Sequence, residues 1–265
     1  MDGNRLCVVR SAISTDAEAI ASVHYNALQL YHDFYAAFFV NHPRILISTL
    51  TKQALQDARN IFLVAVDRAN QNVLGFIRYN IVDPNANTLK LDDSRNPAVI
   101  EQDNAALLAP KPHLEEIWQR IQDTEAHMDK CYESSSRGQK HACKYSDKTP
   151  ALHQWVLTVV KDVKHLMVDS SFQRRGIGRL LLQAALSATT QHSIPTYIVS
   201  SRDSHGLYRQ LGFQDLASRR IDNEAWVDEL IKLERSLGIP GDYNLLQTYR
   251  GVVEDESLMM RSDVQ

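Results

Sequence analysis

Cysteine is scarce. Cys7, Cys131 and Cys143 are the only three among 265 residues, and an odd, unevenly spaced set defines no disulfide framework. An excess of positive charge is missing too. Lys and Arg total 29 against 32 Asp and Glu, a formal net charge of −3, so nucleic acid is not an expected partner. No uninterrupted apolar run reaches the roughly 20 residues that span a bilayer. The opening Met1-Asp2-Gly3-Asn4-Arg5 holds no apolar signal segment. These absences lead to the expectation of a reducing intracellular compartment, taken as cytoplasmic with the nucleus not distinguished from it, and of no membrane partner. What is present is ordinary globular composition, 44% hydrophobic and 23% charged. The length allows a substantial core in one large domain or two small ones.

Leu6 to Arg10 is a short strand candidate. Thr15-Asp16-Ala17-Glu18 then fits a capping box with Thr15 as N-cap. Ile20, Val23, Ala27, Leu30 and Tyr31 follow at helical spacing. The aromatics Tyr31, Phe34, Tyr35, Phe38 and Phe39 run up to His42-Pro43 and are read mostly as core, with a pocket wall as the alternative. A second helix is expected from about Ile45 to Ala58. Ile61–Val66 and Val73–Val82 then predict an antiparallel hairpin. Gly75, inside the second strand, indicates a bulge or a close backbone approach.

The segment from Asp83 to about Ala151 interrupts this order and carries its own amphipathic helix, Leu114 to Cys131, with Leu114, Ile117, Trp118, Ile121 and Met128 on one face. It reads as a lid or insertion. His127, Cys131, His141 and Cys143, with His113 and His153 nearby, form the one cluster of metal-ligand types, but His141-x-Cys143 is poor zinc spacing and no metal is expected.

Beyond it, Val163 to Val168 is a strand feeding Asp169-Ser170-Ser171-Phe172-Gln173-Arg174-Arg175-Gly176-Ile177-Gly178-Arg179, which opens a helix patterned by Ile177, Leu180, Leu181, Ala184, Ala185 and Ala188. A glycine-containing loop at a helix N-terminus turns backbone N–H groups towards one point, where the helix dipole also favours an anion. Arg174, Arg175 and Arg179 add cations. The loop lacks the lysine that a Walker loop has after its second glycine. It also lacks the third glycine of a dinucleotide fingerprint, Leu181 standing there. Thr196 to Ser200 is the next strand, and a strand–helix–strand unit of this length makes a right-handed crossover between parallel strands.

Gln173-Arg174-Arg175-Gly176-Ile177-Gly178 matches the pattern Gln/Arg-x-x-Gly-x-Gly/Ala, which resembles the pyrophosphate loop of the GNAT acyl-CoA-dependent N-acyltransferases. About thirty residues on, Leu207-Tyr208-Arg209-Gln210-Leu211-Gly212-Phe213 is similar to the second hallmark of that family, a Tyr four residues before the glycine of Leu-Gly-Phe. The resemblance implies an α/β fold with a central, mixed, mostly antiparallel sheet, a parallel strand pair splayed for CoA, and flanking helices. It covers residues 6–216 as a GNAT domain with the 83–151 insertion unmatched, leaving 217–265 as a C-terminal helix, through Trp226, Leu230, Leu233 and Leu237, and a partly ordered tail.

The implied activity is transfer of an acetyl group from acetyl-CoA to a primary amine of a small molecule by direct attack on the thioester. The pyrophosphate would lie on Gln173, Arg174, Arg175, Gly176, Ile177, Gly178 and Arg179. The pantetheine would run beside Leu166, Met167 and Val168, and Tyr208 would give a proton to the departing thiolate. The family has no fixed motif for the general base, and Asp162 and His165 are the candidates on the relevant strand. Acidic residues of the insertion, Asp92, Asp93, Glu115 and Glu116, could draw in a cationic amine. A protein lysine or N-terminus as acceptor, and a CoA-binding module without catalysis, are the competing readings. A homodimer is left open.

Overall fold

The computed structural model of the chain describes residues 6–82, 109–137, 160–187, 194–242 and 244–262. Seven strands form one sheet: β1 (Cys7–Ser11), β2 (Asn60–Asp67), β3 (Val73–Val82), β4 (Val160–Val168), β5 (Thr196–Ser201), β6 (Gln214–Asp222) and β7 (Val253–Arg261). Their order across the sheet is β1-β2-β3-β4-β5-β7-β6, antiparallel throughout except for the β4–β5 pair. The expected mixed, mostly antiparallel sheet with one parallel pair is therefore present.

Strand alternation splits the core into two layers. On β2, Ile61, Leu63 and Ala65 join the cluster built on Ile77, Val163, Ile198 and Met259, and Phe62, Val64 and Val66 join the cluster containing Ile20, Val23 and Phe76. Helix α6 (Ile177–Ser187) covers the first layer through Ile177, Leu181, Leu182 and Ala185, which are almost completely buried. Ile177, Leu181 and Leu182 each contribute about 1.5–3 kcal/mol of hydrophobic stabilisation. The second layer is covered by α1 (Ala17–Ala27), followed by α2 (Gln29–Ala36) and α3 (Pro43–Gln56).

Local chemistry accounts for the helix starts. The expected Thr15 capping box is not formed, because Thr15 lies inside a 3-10 turn, Ser14–Asp16. Asp16 ends that turn instead, accepting the Ile13 N–H at 2.8 Å and pairing with Arg10 at 2.7 Å. The arginine holds the Asp16 carboxyl below its usual range. Pro43 occupies the first turn of α3, where its missing N–H costs nothing. Within the expected insertion, the stretch read as one helix is two, α4 (Glu115–Asp123) and α5 (Ala126–Arg137), divided at Thr124-Glu125. They pack inward: Leu114, Ile117 and Ile121 share a cluster with Phe34, Phe38 and with Val227 and Leu230 of α8 (Asn223–Ser236). Tyr132 of α5 meets Tyr197 of β5 edge-on at 5.0 Å.

Two expectations are corrected here. The strand expected over Val163 to Val168 starts earlier, since β4 runs from Val160 through Lys161 and Asp162. Fully buried Lys161 sends its ammonium to the Ala185 carbonyl in the last turn of α6, at the negative end of the helix dipole. The expected partly ordered tail is also replaced. Val253–Arg261 is β7, hydrogen-bonded between β5 and β6 inside the sheet, with Leu258 and Met259 buried. A short α9 (Asn244–Thr248) leads into it.

Candidate active site

The site begins where β4 and β5 part. They pair only through Lys161, Val163 and the residue between them, facing Thr196 to Ile198. Past that point β4 continues along β3 alone, with Leu166 opposite Ile77, Met167 opposite Phe76 and Val168 opposite Gly75. The backbone groups of Lys164–Val168 that face β5 thus border a wedge between the strands. A register shift on β4, against Arg78 and Tyr79 of β3, leaves Lys164 as the extra residue at the apex. Such a bulge re-aims the following side chains. Val163, Leu166 and Val168 accordingly share the layer under α6.

Gly75 makes this arrangement sterically feasible. A Cβ there would stand 2.8 Å from the Met167 carbonyl oxygen, so the close backbone approach expected at this glycine is present.

The loop after β4 is held from within. Asp169 accepts the Ser171 N–H at 3.0 Å, and the Gln173 amide donates to the Val168 carbonyl at 3.1 Å. Arg174 and Gly176 both have left-handed backbone, φ 61° and 84°. Left-handed residues in such a turn curl successive N–H groups into an anion-binding concavity, and the first N–H groups of α6, from Ile177 onward, lack intrahelical acceptors. The basic side chains differ in their commitments. Arg175 lies over Phe172 and donates to the Ser171 carbonyl at 3.1 Å, Arg179 is bonded to Gln210, and Arg174 is exposed. Gly178 is not demanded by the protein's own packing, since a Cβ there would make ordinary contacts of 3.6 and 3.7 Å.

Tyr208 lies on α7 (Arg202–Gln210), 2% exposed, packed against Phe213 and in one cluster with Val163 and Leu181. Burial raises its phenol well above the usual range, partly offset by a hydrogen bond with Ser204. The hydroxyl therefore keeps its proton at physiological pH, as a proton donor must.

Of the two general-base candidates, Asp162 is committed elsewhere, accepting from the Lys164 ammonium and lying 3.5 Å from the Tyr132 hydroxyl. His165 is pushed down to about 3, by burial first and then by Arg78 and His32, so it stays neutral. It belongs to a histidine group that sequence spacing did not reveal. The His165 ring is 4.5 Å from His24 of α1, which is 5.3 Å from His32 of α2. Burial lowers the pKa of His24 and His32 as well.

A second unforeseen group lies on the last strand. Glu254 of β7 is 6% exposed, accepts from the Asn223 amide at 2.8 Å and lies 3.4 Å from the Tyr35 hydroxyl. Burial raises its carboxyl to about 7. Glu256 beside it pairs with Arg219 at 2.6 Å. Glu115 and Glu116 are exposed on the first turn of α4, and Asp92 and Asp93 lie outside the described residues.

The aromatics of α2 divide between the two roles considered for them. Phe34 and Phe38 are fully buried core, while Tyr35 and Phe39 line an open cleft of about 200 Å³ together with His32, Leu46, Leu50 and Trp118. Of the metal-ligand types, His127 and Cys131 approach to 3.9 Å and His113 lies 3.3 Å from Glu234. Among the described residues no group of three such side chains could hold a metal ion, and His141, Cys143 and His153 lie outside them.

Comparison with known proteins agrees with this geometry. Residues 121–228 match the family described as an acetyltransferase (GNAT) domain. No curated protein matches the chain. Among solved structures, one from Corynebacterium glutamicum, described as histone acetyltransferase HPA2 and related acetyltransferase, is 13% identical with a TM-score of 0.51, covering 98% of each chain. The mosquito arylalkylamine N-acetyltransferase like 5b is 13% identical with a TM-score of 0.50, covering 97% of this chain and 99% of its own. At such identities these likenesses bear on the fold alone. Residues 121–228 are thus similar to the acetyltransferase (GNAT) domain family, and the likeness to the two solved structures is one of fold.

Proposed function

We propose that the protein moves an acetyl group from acetyl-CoA to a primary amine of a small molecule by direct attack of the amine on the thioester. The observation that carries this reading is the continuity of the β4–β5 wedge with the left-handed loop. An open strand edge at Leu166, Met167 and Val168 leads straight into the N–H-rich turn from Gln173 to Arg179. That combination suits an elongated ligand with amide groups at one end and a diphosphate at the other. Acetyl-CoA has that form, and it supplies the activated acetyl group. The N–H groups of Arg174 to Arg179 would hold the diphosphate, the edge of β4 would hold the pantetheine amides, and a β4 N–H near the bulge would polarise the thioester carbonyl. Tyr208 would protonate the departing thiolate.

The test is thiol release from acetyl-CoA across a panel of small amines, lysine peptides and N-terminal peptides, with CoA binding measured separately. Turnover with a small amine, reduced about 100-fold or more in Tyr208→Phe with CoA affinity kept, is the expected result. CoA binding without turnover on any acceptor would instead favour a binding module. Unchanged turnover in Tyr208→Phe across the pH range would remove its role as acid.

A further inference from the structure

The junction of β5 and α7 carries three serines whose hydroxyls meet. Ser204 Oγ lies 3.2 Å from Ser200 Oγ and 3.1 Å from Ser201 Oγ, with the Ser201 carbonyl also in reach at 3.2 Å. One turn further along α7, on the same helix face, stands Tyr208, whose hydroxyl shares a hydrogen bond with Ser204. Helix capping does not account for this group. Ser201 occupies the N-cap of α7, where a serine ordinarily accepts a backbone N–H of the first turn. Its side chain makes no such bond and turns to Ser204 instead. Ser200 is 1% exposed and commits its proton to the Ser201 carbonyl at 2.8 Å, whereas Ser201 and Ser204 are half-buried.

This line of hydroxyls answers a need that the buried tyrosine creates. The Tyr208 ring is packed in one cluster with Val163, Leu181 and Phe213, and the burial that raises its phenol makes a phenolate there unfavourable. A tyrosine that has given up its proton must regain it before the next turnover. At 2% exposure its ring has little direct access to water. A serine hydroxyl has one proton to give and two lone pairs to receive with. Ser204 can therefore pass its proton to Tyr208 while taking one from Ser201, at the half-buried end of the line.

Resting on the reading of Tyr208 as the acid of the acetyl transfer, we propose that Ser204 and Ser201 are a proton relay that restores the tyrosine from solvent. The departing CoA thiolate takes the phenol proton, an S–H bond forming as the tyrosine O–H bond breaks. The phenolate oxygen then takes the Ser204 hydroxyl proton while the Ser204 oxygen takes that of Ser201. The Ser201 oxygen takes one from water, replacing the proton that the acylated nitrogen has shed to solvent. Each serine oxygen gains one proton and loses one, so both end as neutral hydroxyls and the tyrosine ends as the phenol. Ser200, bonded to both ends of the turn, holds Ser204 in line. The serines act through Tyr208 and touch no reacting atom.

NMR of the protein labelled with tyrosine carrying carbon-13 at Cζ, in equal parts of light and heavy water, reads exchange of the Tyr208 hydroxyl without any turnover. The signal missing from Tyr208→Phe is that of Tyr208. The wild type should give one averaged line, Ser204→Ala two resolved lines for the protonated and deuterated hydroxyl, and Ser204→Thr one line again, because it keeps the hydroxyl. In thiol release, kcat should fall about tenfold in Ser204→Ala, less than the loss of about 100-fold or more expected on removing the acid itself. CoA affinity should be unchanged, Ser204→Thr should recover the rate, and Ser204→Ala should cost nothing further in the Tyr208→Phe background. Two lines already in the wild type, or one line in Ser204→Ala, would overturn the relay. An equal loss of kcat from Ser204→Ala in the Tyr208→Phe background would do the same, since it would mark a role in structure alone. Undiminished turnover in Tyr208→Phe would remove the acid and the relay's task with it, whereas a slow Tyr208→Phe beside an undiminished Ser204→Ala would remove only the relay.

Discussion

Replacing Glu254 by Gln tests the electrostatics of the buried β7 carboxyl through folding stability. Asn223 donates to one carboxyl oxygen, Tyr35 lies near the other, and Glu256 sits two residues away on the same strand face, its charge shared with Arg219. Burial dominates, raising the carboxyl from 4.5 to about 7. A group whose pKa is raised by folding favours the fold most when protonated. Its contribution is fully present below about 4.5 and is lost as pH rises through about 7. At ~1.4 kcal/mol per pH unit, that interval amounts to about 3 kcal/mol as a ceiling. Gln has the same shape, stays neutral and keeps the acceptor for Asn223. Urea unfolding of wild type and Glu254→Gln should therefore coincide near pH 4.5 and diverge up to pH 8, with the variant more stable by up to about 3 kcal/mol. Titrations elsewhere in the chain cancel in the difference. Parallel curves over the whole range, or divergence with the wild type more stable at high pH, would refute the reasoning.

Two further outcomes follow from the loop and the sheet. Gly176→Ala places a Cβ on backbone at φ 84° and should cost about 1 kcal/mol of stability while weakening CoA binding roughly tenfold, equivalent to ~1.4 kcal/mol. Gly238→Ala, at φ 71° beyond the end of α8, is the control, with a similar stability loss and unchanged CoA affinity; equal CoA affinity in both variants would argue against the loop as cradle. Gly75→Ala brings a Cβ to 2.8 Å from the Met167 carbonyl and should lower stability by about 1–3 kcal/mol through forced separation of β3 and β4. An unchanged melting temperature would show that this approach is not tight in solution.

Much of the fold was legible because its signals are local. The β2–β3 hairpin, the strand before the loop, the amphipathic pattern of α6 and the Tyr208 helix each depend on alternation, helical spacing or a turn residue within a few positions. Where a local signal met a tertiary competitor, the competitor prevailed. Asp16, fixed by Arg10, accepts the Ile13 N–H, and Thr15 lies inside the turn rather than at its start. Lys161 entered the core because a helix end lay within its reach, which hydropathy cannot register.

Order along the chain determined the phosphate-type loop, the strand feeding it and the crossover after it, since each is a run of neighbouring residues obeying short-range sterics. Convergence across the chain was decided only by the tertiary structure. Glu254 reaches Tyr35 across 219 positions because β7 inserts between β5 and β6. His24 meets His165 because α1 packs against β4, and His32 of α2 joins them through His24. Neither grouping has a spacing to read, because burial and close contact between distant segments exist only once the sheet has closed.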